Sequence, residues 1–199
     1  MAAILAADVV GYSRKIEADE GSTLAALKDV RAATIDPLLA EHGGRITKTM
    51  GDGFIAEFGS VVEAVAFAVA MQRAVRDRQA GTAPERRLVF RVGINLGDVV
   101  VEGDDLLGDG VNVAARFEQI CRPGGILISG TAYDQLQGKL GLPLDFIGEQ
   151  QVKDTVGRCG PTSCGSMAQQ TFLGEGGKRF IGMTQPWDFE GGSAHLSSD

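Results

Sequence analysis

Histidine and cysteine are nearly missing from this chain, and their scarcity removes several kinds of chemistry at once. The 199 residues contain two histidines, His42 and His195, and three cysteines, Cys121, Cys159 and Cys164. The two types lie far apart, so neither a His/Cys zinc site nor a disulfide framework is encoded. The four-residue gap between Cys159 and Cys164 has no second pair beside it and reads as two incidental thiols, while Cys121 reads as a buried helix-end residue. Any metal in this chain has to be held by oxygen. Long apolar runs are lacking as well. No stretch of about 18 apolar residues occurs, and the opening AAILAADVV has neither a basic leader nor a small-residue cleavage site. No membrane segment is therefore expected, and the expected location is cytoplasmic.

Positive charge is also short. Lys and Arg number 19 against 26 Asp and Glu, a net charge of −7, which argues against a nucleic-acid or anionic-membrane surface but leaves room for a local cluster that holds a phosphorylated small molecule. With 44% apolar and 23% charged residues, the length suits one globular domain with a real core.

Several elements can be read from periodicity. Residues 3 to 10 form an apolar strand ending near Asp8 and running into the turn Gly-Tyr-Ser. From about Ser22 to His42 the apolar residues Leu24, Leu27, Val30, Ile35, Leu38 and Leu39 recur at helical spacing, with Pro37 expected to kink or tighten the last turn and His-Gly-Gly to end the helix. RITKTM and GFIAEF alternate around Gly51-Asp52, the pattern of a β-hairpin whose turn presents the aspartate. Ser60 can cap a helix to about Gln79. A long glycine-interrupted strand covers RLVFRVGINLGDVVVEG, a helix runs from about Gly110 to Ile120, and a strand, a short helix and another strand follow. The reading is an α+β fold with a sheet covered on one face.

Two aspartates, Asp8 and Asp52, thus stand at strand ends beside glycine-bearing turns. Hard cations such as Mg²⁺ favour carboxylate oxygens in such places, although each aspartate taken singly reads equally well as a turn or strand-end cap. Their surroundings are more specific. ADVVGYS, KTMGDG, RVGINLG and GDGVNVAAR occur in this order, and together they resemble the bacterial class III adenylyl and guanylyl cyclase catalytic domain over roughly residues 3 to 154.

That resemblance implies a ferredoxin-like βαββαβ core with helices packed on a largely antiparallel sheet. It also implies a homodimer in which both subunits complete each active site, ATP as substrate, and cyclic AMP and pyrophosphate as products, within intracellular signalling. Asp8 and Asp52 match the residues that hold two Mg²⁺ or Mn²⁺ ions, with the Val9 carbonyl as an extra ligand. Arg116 matches the arginine that stabilises the transition state, and Asn112, four residues earlier and on the same helical face, the asparagine that orients the ribose. Arg91 matches a contact to the terminal phosphates in some members, but an arginine within a strand can equally pair with a neighbouring carboxylate. Lys48 and Asp105 match the adenine-selecting pair: a lysine donates to adenine N1, and a carboxylate accepts from the 6-amino group. Asp104 could stand in for Asp105 after a one-residue shift. The readings competing with this one are guanylate cyclase and a catalytically impaired nucleotide-binding or dimerisation module; the GGDEF-type loop of diguanylate cyclases is absent.

After Lys153 the sequence departs from the family's pattern. Residues 155 to 199 are rich in glycine and lack periodicity, and they are expected to form a disordered or loosely attached tail after a catalytic domain of residues 1–154. One codon assignment of Val156–Cys164, read two bases out of phase, gives RPVRTYVL, close to the strand that related cyclases carry there. A frameshift just after Asp154 is therefore a hypothesis for this tail. It implies a missing last strand, an unpaired sheet edge and a poorly positioned Lys153, and the gene's DNA sequence tests it.

Overall fold

The computed structural model describes residues 1–102, 105–136, 139, 145–150 and 178–183; for residues 100–102, 105–107, 145–150 and 178–183 only the backbone is described. The elements run β1 (Ala2–Val9), α1 (Tyr12–Ala18), α2 (Glu20–Val30), α3 (Asp36–Glu41), β2 (Arg45–Met50), β3 (Gly53–Phe58), α4 (Val61–Arg78), β4 (Phe90–Gly97), β5 (Val100–Glu102), β6 (Asp105–Leu107), α5 (Asp109–Ile120), β7 (Ile126–Ser129), α6 (Gly130–Leu136), β8 (Asp145–Gln150) and β9 (Lys178–Met183). Seven strands form one sheet in the order β2-β3-β1-β4-β7-β9-β8, and β5 pairs with β6 alone. The first four strands with α2 and α4 are the expected βαββαβ unit. All their pairings are antiparallel, and β4 with β7 is the one parallel pair among the described strands.

The central strand explains the layering. β1 is apolar up to Asp8, so both of its faces are buried. Ala3, Leu5, Ala7 and Val9 join the larger core with Val65, Phe67, Ala68 and Met71 of α4, while Ile4 and Ala6 meet Ile55 and the α5 residues Val111 and Ala114. The sheet is therefore covered on both faces, where one covered face was expected. The α5 helix occupies the second face because its own apolar stripe, Val113, Ala114 and Phe117, needs a partner.

The RVGINLG segment shows how α5 is seated. Alternation along β4 sends Val92 and Ile94 into the larger core and Arg91, Gly93, Asn95 and Gly97 toward α5. A Cβ at Gly93 would collide with the Ala114 carbonyl, the Glu118 amide and Phe117, so the helix backbone lies directly on the strand. Asn95, buried, donates from Nδ2 to the Gly110 carbonyl at 3.1 Å and pins the start of the helix.

Three local outcomes differ from the sequence reading. Residues 12–18 form α1, a short helix with no buried residue, which hydrophobic periodicity cannot reveal. The helix expected from Ser22 to His42 widens into a π-helical stretch over Arg31–Ile35 before α3 begins with Pro37 in its first turn. Proline lacks an N–H and crowds the carbonyl four residues earlier, which accounts for the widening. The tail is not strandless: β9 lies between β7 and β8 and pairs with both. Its segment, KRFIGM, satisfies the ladder through backbone groups whatever its side chains. Lys153, Asp154, Cys159, Cys164, His195 and the rest of the tail lie outside the described residues.

Replacing Gly93 with alanine forces α5 off the sheet, and urea denaturation is expected to show a loss of about 1–3 kcal/mol, the usual cost of overpacking.

Candidate active site

The hairpin between β2 and β3 carries Asp52 in a two-residue turn. Gly51 takes the left-handed conformation, φ 64°, that tight hairpin turns favour. Gly53 lets the returning strand run against β1: a Cβ there would sit 2.8 Å from the Ala7 carbonyl and 3.2 Å from Asp8 Oδ1. The two glycines of G-D-G thus bring Asp52 onto the end of β1, where its Oδ2 accepts from the Val9 amide at 3.3 Å.

Two carboxylates consequently face each other. Burial, a hydrogen bond to the Asp8 carboxyl and the Asp8 charge together push Asp52 up to about 6. Across the β1–β4 ladder, Asp8 stands opposite Arg91, and the Arg91 Nη2 donates to Asp8 Oδ2 at 3.0 Å. Of the two readings of Arg91, the carboxylate pair is the one seen here. The same Nη2 lies 3.0 Å from Glu118 Oε1, and Nη1 donates to the Gln119 carbonyl at 3.1 Å. The contact with Glu118 is an ion pair and not a hydrogen bond, so that Arg91 Nε and Glu118 Oε1 are buried without a hydrogen-bond partner among the described residues. Glu118, 7% exposed, is pushed up to about 7, chiefly by burial, against the opposing pull of Arg91 and with smaller contributions from Asp8 and Asp52. The Tyr12 phenol is also raised, by burial first and then by Asp52 and Glu20.

Asp8, Val9, Asp52 and Arg91 are therefore brought together, and Glu118 joins them. Sequence reading missed Glu118, although it follows Phe117 on the buried side of α5. Asn112 and Arg116 lie elsewhere on that helix, Asn112 exposed and Arg116 half-buried, while Val113, Ala114 and Phe117 face inward. Lys48 is exposed on β2, just after an irregularity in the β2–β3 register. Asp105 opens β6, which lies beside β2 and α5, so Lys48, Asp105, Asn112 and Arg116 come from three neighbouring elements. The Asp105 side chain and all of Asp104 lie outside the described residues.

The donor set suits a hard divalent cation. Asp8 and Asp52 offer carboxylate oxygens from two backbone segments, and their mutual repulsion is what a cation relieves. No cluster of three or more His, Cys, Asp or Glu with metal-holding geometry occurs among the described residues, so such an ion would rest on two carboxylates, backbone and outside oxygens. Among the described residues no helix is long and apolar enough to cross a membrane.

Comparison with known proteins identifies the family. The family model for the adenylate and guanylate cyclase catalytic domain matches residues 1–173. "Putative adenylate cyclase 3" of Rhizobium meliloti (strain 1021) is 46% identical over 154 residues, 77% of this chain and 26% of that protein. The crystal structure of an adenylate/guanylate cyclase/hydrolase from Silicibacter pomeroyi superposes with a TM-score of 0.75 at 36% identity, covering 93% of this chain and 96% of the other. The adenylyl cyclase CyaB from P. aeruginosa, at 20% identity and a TM-score of 0.70 over 92% of this chain and 93% of its own, shares the fold. The chain spans about a quarter of the length of the Rhizobium relative.

The folded chain holds the Asp52 proton more tightly than an unfolded carboxyl at 3.8 does. This group therefore favours the folded state below its ordinary value, and that contribution is lost as pH rises through about 6. In cation-free buffer Asp52→Asn is expected to melt increasingly above the wild type as pH rises from about 4 to 7; scanning calorimetry across that range checks the widening gap.

Proposed function

This chain belongs to the adenylate and guanylate cyclase catalytic domain family, and from that membership we propose that it converts ATP to 3′,5′-cyclic AMP and pyrophosphate at sites shared by two copies of the chain. The observation that carries the reading is the apposition of Asp8 and Asp52, with the Val9 amide on Asp52 and Arg91 on Asp8. Asp8, Asp52 and the Val9 carbonyl would hold Mg²⁺ or Mn²⁺, which supplies a lowered pKa at the ribose 3′-hydroxyl and a grip on the phosphates.

The remaining residues position and stabilise. Cyclisation forms a bond from the 3′-oxygen to the α-phosphorus and breaks the bond to pyrophosphate, so negative charge grows on the phosphoryl and leaving oxygens. Arg116 provides fixed positive charge there, and Asn112 orients the ribose one helical turn away. Arg91, freed from Asp8, contacts the terminal phosphates. Lys48 and Asp105 read adenine N1 and the 6-amino group, a pattern that guanine reverses, and the adenylate cyclase name of the Rhizobium relative points the same way. Lys48, Asp105, Asn112 and Arg116 come from one copy and Asp8, Asp52 and Arg91 from the other, so each site needs two chains.

The test is product formation by the purified chain from ATP and from GTP with Mg²⁺ or Mn²⁺. Cyclic AMP from ATP is expected, lowered by a factor of about 100 or more in Asp52→Ala and in Arg116→Ala. Mixing those two variants is expected to recover on the order of a quarter of the wild-type rate, because a heterodimer rebuilds one intact site. Faster turnover of GTP would make it a guanylate cyclase, and no product from either nucleotide would leave a non-catalytic cyclase fold.

A further inference from the structure

Arg91 has three partners, and two of them come from α5. Its Nη2 sits 3.0 Å from both Asp8 Oδ2 and Glu118 Oε1, and its Nη1 donates to the Gln119 carbonyl at 3.1 Å. Glu118 is an acid buried among Val113, Ala114 and Phe117 on the inward side of the helix, where an uncompensated carboxylate is costly. The backbone there is fixed by the contact of Gly93 with Phe117 and the Glu118 amide, so the side chain is delivered to Arg91 by the same packing that seats α5.

We propose that Glu118 is a positioning residue: it gives the Arg91 guanidinium a second seat, so that Arg91 can leave Asp8 for a divalent cation yet stay beside the aspartate pair for substrate phosphates. The proposal rests on the cyclase reading and deepens it. Two observations carry it. A cation and Arg91 compete for the same Asp8 carboxylate, yet Nη2 already lies equally close to Glu118, so the exchange requires no large movement of the side chain. In addition, the cluster holds three carboxylates, Asp8, Asp52 and Glu118, against the single guanidinium of Arg91.

Glu118 should therefore matter to cation binding through Arg91 and not on its own account. The experiment is a double-mutant cycle on the full chain, with Mn²⁺ affinity read by calorimetry and no nucleotide present. Glu118→Met, which keeps the length and removes the negative charge, is expected to weaken Mn²⁺ binding about tenfold when Arg91 is present. In an Arg91→Ala background the same change is expected to cost less than about twofold. Pyrophosphate affinity, measured with Mn²⁺ saturating, should follow the same pattern. If Glu118→Met melts, the near-isosteric Glu118→Gln replaces it with a smaller effect in the same direction. An equal loss in both backgrounds would show that Glu118 acts on the cation directly, no loss in either would make it a bystander, and no Mn²⁺ binding by the unmodified chain would remove the exchange itself. Each of these overturns the proposal. Cyclic AMP formation by the same unmodified preparation is assayed separately, and its absence counts against the cyclase reading whatever the cycle shows.

Discussion

Two like charges pressed together at the end of β1 are the constraint from which the rest of this structure follows. Asp8 is carried there by a strand buried on both faces, and Asp52 by a hairpin turn that only the flanking glycines allow to come so close. Neither segment can move away without breaking the β1–β3 ladder. The repulsion is instead eased by a raised proton affinity at Asp52, by the guanidinium of Arg91 opposite Asp8 in the register, and by the Val9 amide. These are the stabilising groups available to the pair in the absence of a cation.

The two faces of the sheet divide the work. One, packed on α4, holds most of the large side chains and gives the fold its stability. The other is the α5 face, kept flat by glycines so that a single helix can hold Arg91 through Glu118 and Gln119 while also carrying Asn112 and Arg116. A helix seated backbone-to-strand leaves little slack, which is what a group meant to meet developing charge requires. The same close packing ties the two halves of the proposed mechanism to one element.

Much of this was legible in the sequence, for identifiable reasons. The hairpin, the capped α4 helix and the strand ending at Asp8 declare themselves through period-two or helical patterning and turn residues, and G-D-G marks a carboxylate at a tight turn. Arg91 could not be settled from sequence because a strand arginine looks alike whether it waits for phosphate or pairs with an acid; the β1–β4 register supplies the acid, Asp8, that it pairs with here. Glu118 escaped because a glutamate after N-V-A-A-R-F resembles any solvated helix acid. Its position beside Phe117 was the signal available. The α1 helix, with no buried side chain, had no periodicity to show, and β9 was hidden because its place in the sheet depends on strands distant in sequence. The second covered face was missed for a similar reason, since the apolar stripe of α5 does not say which side of the sheet it will choose.

The central claim is that Asp8 and Asp52 form a cation site in which a proton stands in for the metal, and proton release on cation binding tests it most directly. Mn²⁺ is titrated by calorimetry in buffers of different ionisation enthalpy. With Asp52 near 6, about half a proton should be released per cation at pH 6 and almost none near pH 8, and Asp52→Asn should abolish tight binding. Binding of equal strength in Asp52→Asn, or binding with no pH-dependent proton release, would contradict the account.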